Sequence, residues 1–157
     1  MSQAADDLVA IRNTLSAYAV AGDRLRIEAL ADTFLEDGVL VTPTATYEGR
    51  AEIIRGLGGR GSDPAANQGP RPSLVRHNLT TSYFEPVTTD SAQGRTYFIV
   101  LSDIGLDHAG HYQDRLRKVR GQWLFERRDV RVDWIVDGSL FPALKRAHEI
   151  RLAATRA

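Results

Sequence analysis

The spacing of apolar residues changes once along the chain, and this change limits the possible folds more than any other feature. Helical spacing dominates before residue 58, whereas alternating, strand-like runs cover residues 74–84, 94–104, 110–119 and 122–134. The turn-rich segments TTDSAQ, LDHAG and VRG separate these runs, and such short links join antiparallel neighbours. The sequence therefore predicts an α+β fold in which N-terminal helices pack over a curved antiparallel sheet.

The remaining elements follow from local signals. Apolar spacing predicts a first helix over about residues 4–21, and Gly22 is expected to end it in the left-handed conformation. A short second helix, a hairpin, a glycine-bracketed helix and a C-terminal helix are then predicted near residues 25–34, 39–47, 49–57 and 140–156.

The chain of 157 residues fits one domain over residues 1–157. Residues 58–73, GGRGSDPAANQGPRPS, predict a long flexible loop, which is either a passive excursion or a lid over a site. A strongly bent sheet covered by helices forms a cone, and we expect it to enclose an apolar pocket.

Composition excludes several classes of function. Twenty basic and twenty acidic side chains cancel, so neither nucleic acid nor a membrane surface is an expected partner. The absence of cysteine excludes disulfides, and no signal segment or long apolar run is present, so we expect a cytoplasmic protein. His108 and His111 form an H-x-x-H pair without an evident third ligand, so no metal and no other cofactor is expected.

His77 is the first candidate for chemistry. Alternation along VRHNLTTSYFEPV places it with Val75 and Leu79 on the more apolar face of the strand. A neutral imidazole there can accept a proton if a carboxylate holds its other nitrogen, but it can equally be a satisfied core residue. Asp23, in the turn after the first helix, is either that carboxylate or a helix N-cap.

A family resemblance rests on several of these segments together. They are Tyr18, AGD at 21–23, YEG at 47–49, RHN at 76–78 and GHYQDRLRKVRGQWLFERRDVRVDW at 110–134. The chain resembles the SnoaL-like branch of the nuclear-transport-factor-2-like superfamily, which includes scytalone dehydratase, a bile-acid dehydratase, lindane dehydrochlorinase and polyketide cyclases. The resemblance implies a cone-shaped domain that forms a homodimer or homotrimer.

The resemblance also implies roles for five residues. Asp23 and His77 match the positions of an aspartate–histidine catalytic dyad, while Tyr18 and Tyr47 resemble tyrosines that contact substrate. Arg128 is the candidate cationic contact. Arg128 and Arg131 lie on opposite faces of the last strand, so only one of them is expected to face the pocket, and a surface or ion-pair role is the alternative for each. The run YFIVLSDI offers no second pocket histidine of the kind that scytalone dehydratase carries.

The function implied is that of a cofactor-free lyase or isomerase that removes a proton from a small hydrophobic molecule. Two alternatives remain open. One is an oligomer that binds a hydrophobic ligand without chemistry, and the other is a structural subunit of an oxygenase-type complex.

Overall fold

The computed structural model describes residues 3–59 and 72–155, with the side chain of Pro86 excepted. Its elements, in chain order, are α1 (Gln3–Asp23), α2 (Ile27–Ala31), β1 (Phe34–Val41), β2 (Thr46–Glu48), α3 (Arg50–Leu57), β3 (Val75–Val87), β4 (Ser91–Ser102), β5 (Gly105–Val119), β6 (Gln122–Ile135) and α4 (Pro142–Thr155).

The six strands form one curled, unclosed sheet in the order β2-β1-β6-β5-β4-β3. The predicted α+β class is confirmed, with one difference in the sheet. It is mixed, because β1 lies parallel to β6 while every other pair is antiparallel. A parallel pair needs a long connection, which the intervening chain between β1 and β6 supplies.

Helix α1 covers the inner face of the curl and contacts both β3 and β6. Its buried side chains recur at helical spacing, and they pack with the inward residues of the strands. The main core cluster includes Ile11, Leu15, Leu30, Phe34, Leu40, Ile53, Leu116, Trp123 and Phe125.

The end of α1 differs from the sequence expectation. Leu25, rather than Gly22, adopts the left-handed conformation with φ 54°. The N–H of Arg26 donates to the carbonyl of Ala21, and the N–H of Leu25 donates to that of Gly22. These two bonds satisfy the last carbonyls of the helix and turn the chain just after Asp23.

The segment LDHAG is not a turn, which is the second difference. The turn between β4 and β5 lies at residues 103–104, so Asp107 and His108 belong to β5. Of the predicted loop 58–73, residues 60–71 lie outside the described part, and the choice between lid and excursion stays a prediction. No helix in the described ranges is both long and apolar enough to cross a bilayer.

Candidate active site

Asp23 and His77 lie in direct contact. Oδ1 of Asp23 is 2.7 Å from Nδ1 of His77, and both carboxylate oxygens lie 3.2 Å from the backbone N–H of His77. Asp23 is the last residue of α1, where the helix dipole disfavours a carboxylate. The alternative role as an N-cap does not apply, since Arg26 occupies the N-cap position of α2. Asp23 is therefore held by β3 and not by helix capping.

This contact fixes which nitrogen of His77 can react. When the Nδ1–H donates to Asp23, the neutral ring leaves Nε2 unprotonated and able to accept a proton. The imidazole remains partly accessible, because 26% of its side chain is exposed against 9% for Asp23. The geometry is that of an oriented general base.

A second aspartate–histidine pair lies on the same inner face, and sequence analysis missed it. Nδ1 of His108 is 2.8 Å from Oδ1 of Asp107, and both side chains are buried. In register, His77 pairs with Val100 and Val100 pairs with His108, so the two histidines are two strands apart in one row. At about 4.8 Å per strand, their backbones are roughly 10 Å apart.

Burial and hydrogen bonding act in opposite directions on this second pair. Burial lowers the pKa of His108 below its ordinary value, although its contact with Asp107 opposes that shift. Burial alone would raise the pKa of Asp107, but the bonds donated by His108, the Leu140 N–H and Ser139 lower it overall. The pair is therefore a neutral imidazole beside a carboxylate at neutral pH, with Nε2 of His108 unprotonated.

Phe98 separates the two imidazoles. Its ring centroid lies 6.1 Å from that of His77 and 6.2 Å from that of His108. Gly110 makes room for it, since a Cβ at that position would lie 2.8 Å from Cζ of Phe98 and overlap the Arg131 carbonyl. The site therefore contains one aromatic ring, that of Phe98, between two imidazoles that each contact a carboxylate.

A signal for His108 was present in the sequence. Gly110, Tyr112 and Asp114 share one face of β5, and continuing that alternation towards the N-terminus places His108 on the same face. The assignment of LDHAG to a turn concealed it.

Tyr18 links the histidine end of the inner face to the opposite end. It packs edge-on against Tyr112, at 5.9 Å between centroids, and also contacts the cluster that contains Phe98. Burial raises the pKa of the Tyr18 hydroxyl, so this group stays protonated and can donate a hydrogen bond.

Arg128 is completely buried in an ion pair. Its Nε and Nη2 donate to the two oxygens of Asp114 at 2.8 and 2.7 Å, and its guanidinium lies 4.0–4.3 Å from the rings of Tyr18, Tyr112 and Phe125. Nη1 has no hydrogen-bond partner among the described residues. Asp114 is six positions after His108 in β5, about 20 Å along the strand, but the Tyr112 ring that the guanidinium contacts stacks on Phe98 at 4.6 Å between centroids.

The remaining candidates lie away from the histidines. Tyr47 is on β2, at the opposite edge of the sheet from β3, and its ring packs against Gly56 of α3. His111 faces outward and contacts Asp133 at 2.7 Å, so His108 and His111 lie on opposite faces of β5 and cannot share a metal ion. Within residues 3–59 and 72–155, no cluster of three or more potential metal ligands occurs.

Comparison with known proteins agrees with this architecture. A family model described as the SnoaL-like domain matches residues 3–129. No curated protein matches the chain at a significant level. Among solved structures, a single-substitution variant of the function-unknown protein Rv3472 from Mycobacterium tuberculosis has a TM-score of 0.72 and 25% identity, covering 99% of this chain and 94% of its own.

Two further solved structures share the fold at lower identity. A candidate scytalone dehydratase from Novosphingobium aromaticivorans has a TM-score of 0.69 and 24% identity, with 83% of this chain and 87% of that chain covered. The hexachlorocyclohexane dehydrochlorinase LinA-type3 from Novosphingobium barchaimii has a TM-score of 0.68 and 18% identity, with 87% and 94% covered. These two similarities establish the fold alone.

Proposed function

The chain belongs to the SnoaL-like domain family, and on that premise we propose that it is a lyase or isomerase that removes a proton from a small hydrophobic molecule without a cofactor. The observation that carries the proposal is the 2.7 Å contact between Asp23 and His77, since a ring that donates from Nδ1 carries an unprotonated Nε2. A structural subunit of a larger complex requires neither Asp23 nor His77 at these positions.

His77 is the proposed base. It takes a proton from a carbon next to an electron-withdrawing group, while Asp23 fixes the tautomer and stabilises the imidazolium that forms. The electron pair left on carbon then expels a leaving group on the neighbouring carbon, or moves to a new position that is protonated again. General-base assistance of this kind is worth about 10²–10⁴-fold in rate.

His108 and Tyr18 are the proposed polar contacts on the other side of the substrate. Nε2 of His108 accepts a hydrogen bond from a substrate hydroxyl, and the protonated Tyr18 hydroxyl donates one to a carbonyl or a departing group. Substrate contacts from Tyr47 and Arg128 stay predictions. For Arg128 the contact would come from Nη1, the one guanidinium nitrogen without a described partner.

The proposal is tested by proton exchange. The protein is incubated in D₂O with a panel of small cyclic ketones and β-hydroxyketones, and deuterium incorporation and elimination are followed by NMR. We expect the parent to catalyse exchange or elimination for at least one member of the panel and His77→Gln to lose it. Tight binding of several members without exchange or elimination would instead establish a ligand-binding protein.

A further inference from the structure

The six residues that connect β6 to α4 are hydrogen-bonded to Asp107, the aspartate of the second pair. We call residues 136–141 the C-terminal strap. The Val136 N–H donates to the backbone carbonyl of Asp107 at 2.9 Å. The Ser139 hydroxyl and the Leu140 N–H donate to its carboxylate at 2.7 and 3.0 Å. A single residue of β5 therefore holds the strap at three points.

The same carboxylate also holds the ring of His108. Oδ1 of Asp107 accepts from Nδ1 of His108 and from Ser139, while Oδ2 accepts from Leu140 and, at 3.3 Å, from Ser102. Two donors on each oxygen fill the accepting capacity of a carboxylate. Asp107 is 0% exposed, so in the docked position its carboxylate is hydrogen-bonded by protein donors alone. The strap and the imidazole are therefore held by one carboxylate, that of Asp107, whose acceptor sites are all filled.

A β-bulge makes this double contact possible. Val100 pairs with His108, whereas the next residue, Leu101, pairs with Leu106, so Asp107 is the extra residue in β5. Without the bulge, consecutive side chains would point to opposite faces. With it, Asp107 and His108 are both buried on the inner side.

The strap also covers the ring that Asp107 holds. Phe141 packs edge-on against His108 at 5.2 Å between centroids, and Phe98 packs edge-on against the same ring at 6.2 Å. Beyond the strap, α4 is anchored by His148, whose Nδ1 lies 3.1 Å from the carbonyl of Val132. Helix α4, which follows the strap, is therefore hydrogen-bonded to β6, and the docked strap places a second aromatic ring against His108.

We propose that Asp107 is a positioning residue that couples the C-terminal strap to His108, so that docking of the strap holds His108 in the Nδ1–H tautomer with Nε2 available to substrate. The inference deepens the proposed function and rests on it for the role of Nε2. The coupling itself concerns only residues of this chain. When Ser139 and Leu140 withdraw, Asp107 loses two of its four donors in a buried place, and the carboxylate must turn or admit water.

The coupling is tested by long-range ¹H–¹⁵N NMR of the histidine rings, with the His108 signals assigned from His108→Gln. Ser139→Ala removes one donor, and the double variant Ser139→Ala/Leu140→Pro removes both donors to the carboxylate. We expect the Nδ1 and Nε2 signals of His108 to move towards a mixture of tautomers in both variants, further in the double variant. We also expect hydrogen exchange at Val136 to rise at least about fivefold.

Ser73→Ala is the matched control. It removes a hydroxyl that donates to Asp103 at 2.6 Å, a serine–aspartate bond at the nearby β4–β5 turn. We expect the His108 signals to be unchanged in it. Unchanged His108 signals in the double variant would overturn the proposal, because that variant has neither the Ser139 hydroxyl nor the N–H of residue 140. These signals are read without substrate, so a protein that fails the exchange assay can still show the coupling.

Discussion

At the scale of single residues, two aspartate–histidine contacts of equal length face opposite sides of the sheet. Asp23 and His77 lie on the inner face, whereas Asp133 and His111 are 2.7 Å apart on the outer face. We expect Asp23→Asn to lower kcat/KM about 10²–10⁴-fold, because the amide can no longer stabilise the imidazolium. The measurement is the steady-state rate on whichever panel member the parent turns over.

Asp133→Asn supplies the comparison for that variant. It makes the same chemical change beside a histidine that faces away from the proposed site, so its rate should stay within about twofold of the parent's. Equal losses in the two variants would show that the effect is general and would remove Asp23 from the mechanism.

The buried ion pair makes a prediction about stability. Asp114 and Arg128 both have fully buried side chains, and removing one partner leaves an unpaired buried charge. We expect Asp114→Asn to lower the free energy of unfolding by about 3–5 kcal/mol in urea titrations. Asp129→Asn breaks a similar forked contact to Arg127, whose side chain is 36% exposed, and should cost only about 0–1 kcal/mol.

Residue patterns in the sequence predicted part of this site. Alternation alone placed His77 on the inner face. Asp23, 54 positions away, was either its carboxylate partner or an N-cap, and only the family resemblance favoured the pair. Asp107 and His108 could not be read as neighbours on one face, because alternation excludes that arrangement and only the bulge permits it. The depth of Arg128 also followed from tertiary packing rather than from local sequence.

At the scale of elements, Gly110 fixes how closely β5 approaches its neighbours. A Cβ there would overlap the Arg131 carbonyl of β6 and press on Phe98 of β4. We expect Gly110→Ala to lower the free energy of unfolding by about 1–3 kcal/mol, because backbone or ring must shift. It should also move the NMR signals of both His77 and His108, the rings on either side of Phe98.

Gly138→Ala is the appropriate control for the stability measurement. An added Cβ there meets nothing within 4 Å, and its backbone is not left-handed. Its free energy of unfolding should match that of the parent within about 0.5 kcal/mol. If Gly110→Ala behaves in the same way, the packing of Phe98 over this glycine is not a constraint.

Element types followed from periodicity, whereas their ends and their long-range partners did not. The change of period separated the helices from the sheet, and the glycine-bracketed helix and the hairpin appear as α3 and β1–β2. Leu25 replaces Gly22 in the left-handed turn because the chain must turn after Asp23 has reached β3. The parallel contact between β1 and β6 joins distant segments, and no local signal specifies it.

At the scale of the whole molecule, the outer face of the sheet exposes apolar side chains from three adjacent strands. Tyr97, Ile99, Leu101, Leu106 and Trp134 are each 38–45% exposed. Contiguous patches of this kind often mark contacts between proteins. We expect the homodimer or homotrimer implied by the family to bury this patch. Light scattering should therefore show that Ile99→Arg converts the oligomer to a monomer, whereas Val9→Arg on α1 leaves it assembled. A parent protein that is already monomeric would contradict the expectation.

The buried pair of Asp107 and His108 makes the stability of the whole molecule depend on pH. Burial lowers the pKa of His108 in the folded state, whereas in the unfolded chain it returns to the ordinary value near 6.5. Below that value the unfolded state binds the proton more readily, so the free energy of unfolding falls as pH drops from 6.5 towards the folded-state pKa. The carboxylate of Asp107, whose pKa is also lowered, adds a further loss of stability only below about pH 4.

We therefore expect urea midpoints to decline between pH 7 and 5, and His108→Gln to flatten that decline relative to the control His111→Gln. A decline of equal slope in the two variants would show that other groups take up the proton.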